Sequence, residues 1–219
     1  MKIFDGETLL GKTKANQEGL WNFTTKSLKD GLHDFTVKAP VTGKATSASS
    51  DHYQVTVDTK APLAPLIRSA IDDQEALTGS IAHGGWTNDS SPELTGKAAA
   101  GTTVEIFDGN ISLGSAKTNK SGVWSFSIPT PLTDGSHGFS AIATDKAGNS
   151  SGHSADFTLK VDTKAPKSPI IKVIKDDVGN MTGSIAHQGF TDDSRPVLSG
   201  KAAPGSTVEI MEEIGRAHV

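Results

Sequence analysis

The chain has no cysteine, so disulfide stapling and every thiol-based catalytic or metal site are excluded. That lack does not argue against the cell exterior. No apolar run approaches the length of a membrane span. No charged segment followed by an apolar one opens the chain, so no signal peptide is read at its start. The formal net charge is −4 with a pI near 5.9, and this acidic balance leaves no basic footprint for nucleic acid. No window sustains a 3.6-residue apolar period, and aromatics make up only 5% of the residues.

What the sequence does have is alternation and repetition. Phe157, Leu159 and Val161 alternate with Thr158 and Lys160, and Trp124, Phe126 and Ile128 alternate with Ser125 and Ser127. A period of two marks half-buried strands, and DGN (108–110), KSG (120–122), TDGS (133–136) and AGNSS (147–151) supply the turns between them. VDTKAP stands at 57–62 and again at 161–166. Around both copies the same motifs recur in the same order. DGETLLG (5–11), GLWNF (19–23) and DGLHDFTV (30–37) answer to DGNISLG (108–114), GVWSF (122–126) and DGSHGFSA (134–141). DDQEALTGSIAHGGWTNDSSPELTGKAAAGTTVEI (72–106) answers to residues 176–210. The offset holds at 103 or 104, which is domain-sized rather than solenoid-sized.

Short strands at about 100 residues per unit predict an all-β fold of tandem immunoglobulin-like β-sandwiches. The cysteine pair of antibody domains is missing, so apolar inner faces must hold the sandwich, with Trp124 as a core anchor. Strands are expected within 64–71, 93–98, 103–107, 111–117, 123–129, 137–144 and 154–161. Aligning the copies divides the chain into the C-terminal half of a repeat (1–57), one complete repeat (58–161) and the N-terminal half of another (162–212). Residues 213–219, EIGRAHV, break the repeat and read as a non-native, adapter-like tail.

Taken together, VDTKAP, DDVGNMTGSI, TDDSRPVLSGKAAPGSTVEI, GVWSF, DGSHGF and TDKAGNSS resemble the bacterial Ig-like tandem repeats of giant type I-secreted non-fimbrial adhesins. The resemblance covers residues 1–211. It implies a stalk of many similar repeats on the bacterial cell surface, serving cell adhesion or biofilm formation. It also implies type I secretion and calcium bound near domain junctions. The implied partners are adjacent repeats, with host glycan or protein engaged elsewhere in the parent; neither nucleic acid nor membrane insertion is expected.

The aspartates follow the same logic from the residues. A strand starting near 64 ends at Asp72 and Asp73; TND (87–89) precedes the next strand; the last strand delivers Asp162. Successive antiparallel strands bring these segments, with Asp89, to one pole of the sandwich. Asp176, Asp177 and Asp193 are their counterparts in the following copy. The turn TDKAGN (144–149), with Asp145 and Asn149, lies at the opposite pole and faces the linker residue Asp58. Clustered carboxylates repel unless a cation joins them, and oxygen-only donors suit Ca2+ rather than zinc. Each aspartate taken singly reads first as a turn residue, and it is their convergence at a linker that favours calcium. In the first half-repeat Val41 and Ala45 replace Asp145 and Asn149, which puts that copy of the turn in doubt as a ligand.

Other chemistry finds little support. His33 and His137 recur in DGxH, and His83 and His187 in SIAH; they repeat rather than cluster, which predicts strand-edge or turn roles. Neither GxSxG nor HExxH occurs, and no enzyme activity is expected. The alternative function is a carbohydrate- or protein-binding Ig-like module of a secreted protein or hydrolase, for which an exposed aromatic would speak. Trp86 is the candidate, although it is expected to pack its long connection against the sandwich.

Overall fold

The computed structural model describes residues 1–40, 43, 45–75, 78–180 and 182–211. Val41 and the proposed tail at 213–219 lie outside the described residues. Among the described residues every regular element is a strand. No helix there is long and apolar enough to cross a membrane. The chain divides into two units, Met1–Thr163 and Lys164–Val219.

In the first unit, β1 (Lys2–Asp5), β2 (Thr8–Lys12), β3 (Gly31–Lys38) and β4 (Tyr53–Val57) form an antiparallel sheet in the order β2-β1-β3-β4. The residues that follow build a complete sandwich. Its strands are β5 (Leu66–Asp72), β6 (Gly79–Ile81), β7 (Gly85–Thr87), β8 (Glu93–Lys97), β9 (Thr103–Asp108), β10 (Ile111–Lys117), β11 (Val123–Ser127), β12 (Gly135–Thr144) and β13 (Phe157–Val161). One sheet runs β11-β8-β5-β6 and the other β10-β9-β12-β13-β7. The chain therefore switches sheets between β6 and β7, and β7 pairs in parallel with β13. This is an immunoglobulin-like β-sandwich.

The seven expected strands are present, each within a few residues of its predicted span. β6 and β7 are additions. At three residues each they are too short to show a period of two.

The alternation seen in the sequence becomes the core. Ile67 and Leu94 from one sheet, and Val104, Ile106, Phe139, Ala141 and Leu159 from the other, pack around Trp124, which is 1% exposed. Side chains of this size contribute roughly 1.5–3 kcal/mol each on full burial. Gly96 makes room for the indole: a Cβ there would stand 2.3 Å from the Trp124 ring and 2.2 Å from the Leu66 carbonyl oxygen.

The second unit is a three-stranded antiparallel sheet, β15-β14-β16, built from β14 (Ile170–Asp176), β15 (Gly183–Ile185) and β16 (Val197–Lys201). Residues 19–23, GLWNF, match β11 in sequence yet form no strand. The β8 against which β11 pairs has no counterpart within Met1–Val57, and a strand without a partner leaves its backbone groups to water.

Candidate functional site

At the end of β5 the alternating pattern places Asp72 on the inward side, where it is buried. The Thr87 hydroxyl, at the end of β7, donates to Asp72 Oδ2. Thr87 Oγ1 in turn accepts from the Asp89 amide at 3.0 Å, and the Thr87 carbonyl accepts from the Asp162 amide at 2.9 Å. One threonine thus ties together the ends of β5, β7 and β13. Asp72 Oδ1 caps the Gln74 amide at 2.8 Å, and Asp89 Oδ1 caps Ser91 at 2.7 Å. Asn88 donates to the Glu75 carbonyl at 3.2 Å, while its own Oδ1 is buried without a partner among the described residues. Asp73 is exposed and accepts from the adjacent Gln74 side chain at 2.8 Å.

The second unit repeats this arrangement. Thr191 donates to Asp176 Oδ2 and accepts from the Asp193 amide at 3.0 Å, and Asp193 Oδ1 accepts from the Arg195 amide at 2.6 Å. Asp193 Oδ2 is buried with no hydrogen-bond partner. The Thr191 hydroxyl first, then the Val178 amide, hold the Asp176 carboxyl below its ordinary range. Asp177 is exposed. Among the described residues no three His, Asp or Glu side chains are gathered closely enough to hold a metal ion by themselves. The donors are nonetheless oxygens alone, and two of them, on Asn88 and Asp193, are buried and unsatisfied. In kind they fit calcium; in number they leave ligands to be supplied by water or by a neighbouring domain.

At the other pole Asp145 closes the β12–β13 turn. Its Oδ1 accepts from Ala147 at 2.8 Å and Asn149 at 2.9 Å, and its Oδ2 from Asn149 Nδ2 at 2.9 Å. The Asn149 side chain is the largest of the influences that lower the Asp145 pKa. Asn149 Nδ2 also donates to the Asp58 carbonyl at 3.0 Å, so the turn touches the incoming linker. The Asp58 carboxylate caps the Lys60 amide at 3.1 Å.

Sequence reasoning missed Asp30 and Asp134. Asp30 Oδ1 accepts from the Thr59 amide at 3.0 Å and its hydroxyl at 2.8 Å, and Asp30 Oδ2 meets Lys60 Nζ at 3.2 Å. Asp134 grips Thr163 in the same way, at 2.9 and 2.8 Å. The threonine of each VDTKAP is therefore clasped by the aspartate of the preceding DG turn. The signal was a spacing of 29 residues that recurs in both copies. Thr87 and Thr191 were also overlooked as the organisers of their clusters.

Of the repeated histidines, His33 and His137 sit on β3 and β12 and His83 and His187 in turns, as expected. His137 Nδ1 lies 2.6 Å from Asp108 Oδ2, and its Nε2 lies 2.8 Å from the Thr133 carbonyl. His33 makes the same pair of contacts, to Asp5 at 2.6 Å and Lys29 at 2.8 Å. Both partners of each ring only accept, which calls for two N–H groups and hence the imidazolium. Burial opposes the charge on His137, but the Asp108 carboxylate and the Thr133 carbonyl outweigh it and raise the pKa. For His33 the Lys29 carbonyl and then Asp5 raise the pKa, and Asp5 in turn is lowered, chiefly by His33. A folded-state pKa above the ordinary 6.5 means that this stabilisation is complete below that pH and fades as pH rises through the raised value. Thermal melts of the chain between pH 6 and 9 are expected to show that decline, and a shallower one in His137→Gln; parallel curves would refute the assignment.

Trp86 is not packed down. It is 61% exposed on β7, with Lys160 Nζ 4.9 Å from its ring centroid, and its counterpart Phe190 is 94% exposed. The connection that Trp86 was expected to cover is held instead by backbone pairing of β7 with β13.

Comparison with known proteins adds the following. The bacterial Ig-like domain family matches residues 66–163. Among solved structures, the chain is similar to a BSP domain of a biofilm associated protein, with 18% identity over 75% of this chain and 25% of that one and a TM-score of 0.34. It is also similar to the fibronectin(III)-like modules of Clostridium thermocellum CbhA, with 15% identity over 73% of this chain and 76% of that one and a TM-score of 0.41. The chain spans about a quarter of the length of the first of these. No curated protein matches it.

Proposed function

We propose, from the match of residues 66–163 to the bacterial Ig-like domain family, that the chain is a run of spacer repeats from a bacterial surface adhesin, stiffened by calcium at its domain junctions. On this reading 1–57 is the C-terminal half of one repeat, 58–161 a complete one and 162–212 the N-terminal half of the next. Export by a type I system, and roles in cell adhesion or biofilm formation, belong to the same proposal.

The observation that carries it is the threonine-centred gathering of Asp72, Asp89 and the Asp162 backbone beside the outgoing linker, with the Asp176–Thr191–Asp193 arrangement repeating it. Asp72, Asp89, Asn88 and Asp162 would hold the ion at the outgoing junction, and Asp145, Asn149 and Asp58 at the incoming one. Calcium would supply a positive charge that tolerates six to eight oxygens and relieves the crowding of carboxylates. With calcium a hundredfold above Kd, binding to the folded form adds about 2.7 kcal/mol per site.

Small-angle scattering of the chain in calcium and in chelator is the test. Calcium is expected to increase the maximum dimension and narrow its distribution. Equal, extended dimensions in both would overturn calcium stiffening and leave the linker to the Asp30–Thr59 and Asn149–Asp58 hydrogen bonds.

The exposure of Trp86 favours a second reading, a module that presents the indole face to a sugar or a protein partner. Glycan binding that is lost in Trp86→Ala with unchanged melting would support it; no binding by the unmodified chain would end it.

A further inference from the structure

The outer face of the five-stranded sheet holds an open cleft of about 700 Å³ between β9, β12 and the segment leading into β13. That is the size of a small-ligand site. Asn110, Ser136 and Asp156 line it and are exposed. His153 closes one end, with its Nδ1 3.0 Å from the Ser140 hydroxyl oxygen and its ring centroid 5.3 Å from that of Phe107. Across the same sheet Ser136 pairs with Lys160, and Lys160 pairs with Trp86. Alternation puts these three on the face opposite the core, where Lys160 lies over the indole. From β7 to β9 the face spans three strand spacings, about 14 Å.

Gly138 forms the floor of the cleft, and neither backbone nor space calls for a glycine there. Its φ lies outside the left-handed region, and a Cβ would meet nothing within 4 Å. Glycine inside a strand weakens it, and often marks a place where a ligand or another backbone comes close. The first copy of the repeat shows the alternative. There the counterparts of Gly138 and Asp156 are Asp34 and His52, and His52 Nδ1 lies 2.7 Å from Asp34 Oδ2. That pair bridges β3 to the start of β4 over the same strip of sheet. In the complete sandwich Gly138 offers no side chain to Asp156, and the strip is bare. The cleft is therefore a difference between two copies, not something the repeat needs in order to fold.

We propose that this face binds an uncharged oligosaccharide, lodged over Gly138 beside Asn110 and Asp156, with a further sugar ring against Trp86. The site rests on the second reading above, in which Trp86 meets a sugar, and adds the polar groups that hold the rest of the chain. Sugar hydroxyls both donate and accept. Asp156 accepts, while Asn110 and Ser136 do both. Asp108 is matched by His137, and Asp156 is offset by Lys160 on the strand it leads into, so the face suits a neutral ligand better than a polyanion. The apolar side of a sugar ring fits an exposed indole.

The first copy supplies the variant for the test. Gly138→Asp with Asp156→His installs the Asp34–His52 pair over the cleft, where space and backbone accept it. The chain, this double variant, Asn110→Ala and Trp86→Ala are applied to arrays of neutral gluco-, manno- and galacto-oligosaccharides, with sialylated and sulfated sets alongside. The best neutral binder is then titrated by calorimetry, and each variant is melted. The unmodified chain is expected to bind a neutral set. The double variant should bind at least about tenfold more weakly with unchanged melting, and Asn110→Ala about three- to tenfold more weakly, the worth of one hydrogen bond. Should the double variant melt early, Asn110→Ala decides alone, since it sits in an exposed turn. Neutral binding kept in both cleft variants would overturn the cleft: if Trp86→Ala abolishes that binding the second reading survives, and if it does not, both fall. Retention of acidic glycans alone would overturn the neutral ligand, and retention of no glycan would overturn the cleft and the second reading together.

Discussion

Trp124→Ala is expected to remove about 3–5 kcal/mol from the sandwich at residues 66–163. The indole is the largest fully buried side chain, and it touches residues of both sheets, so its loss leaves a cavity that neither sheet can close alone. Gly96 beneath it cannot compensate, because it has no side chain to move into the space. Small domains hold roughly 5–15 kcal/mol in all, so the loss amounts to a large share of the fold's stability. Urea denaturation followed by intrinsic fluorescence, read beside circular dichroism because the main fluorophore is the one removed, should show a midpoint far below that of the parent chain. Trp124→Phe should recover more than half of the difference. The indole Nε1 has no hydrogen-bond partner, so phenylalanine gives up volume without giving up a bond. A loss under 1 kcal/mol for the alanine variant would mean that the two sheets pack independently of this residue.

The second large effect is expected at Thr87. Valine has nearly the shape of threonine but no hydroxyl, so Thr87→Val leaves buried Asp72 Oδ2 and the Asp89 amide without their shared partner. Hydrogen bonds to charged groups are worth about 1.5–3 kcal/mol, and an abandoned buried carboxylate adds its desolvation penalty. A destabilisation of about 2–4 kcal/mol is expected in chelator. Thr87→Ser, which keeps the oxygen, should stay within about 1 kcal/mol of the parent. Calcium titration by calorimetry of the same variants separates folding from binding. If the cluster is an ion site, valine should weaken calcium binding further than serine does. Equal stability of the valine and parent chains would show that Asp72 finds another donor, and the threonine would lose its organising role.

Much of this architecture was legible because the chain is its own reference. The repeated VDTKAP set the period, and alternation located seven strands of the sandwich and its tryptophan. The meeting of the Asp72, Asp89 and Asp162 segments follows from counting strand reversals. Three-residue strands such as β6 and β7 carry no periodic signal, and so the exposure of Trp86 on β7 was misread. The fate of GLWNF at 19–23 depends on a partner strand, which is tertiary information that no local pattern carries. Asp30 and Asp134 were hidden for a different reason. DG reads as a turn wherever it occurs, and only a spacing of 29 residues to the linker threonine distinguishes a clasp from a bend.

The parallel pairing of β7 with β13 bears on how the sandwich responds to mechanical load. When the chain is pulled from both ends, β13 is drawn along its axis toward its C-terminal end, and β7 is drawn the opposite way through the strands that precede it. The rungs at Leu159–Gly85, Lys160–Trp86 and Val161–Thr87 then share the force in shear rather than opening one after another like a zipper. The Gly84 amide on the Thr158 carbonyl at 2.7 Å, and the Thr158 amide on His83 Nδ1 at 3.1 Å, extend the same seam. A tether built of such units resists stretching at the very place where its sheets are joined.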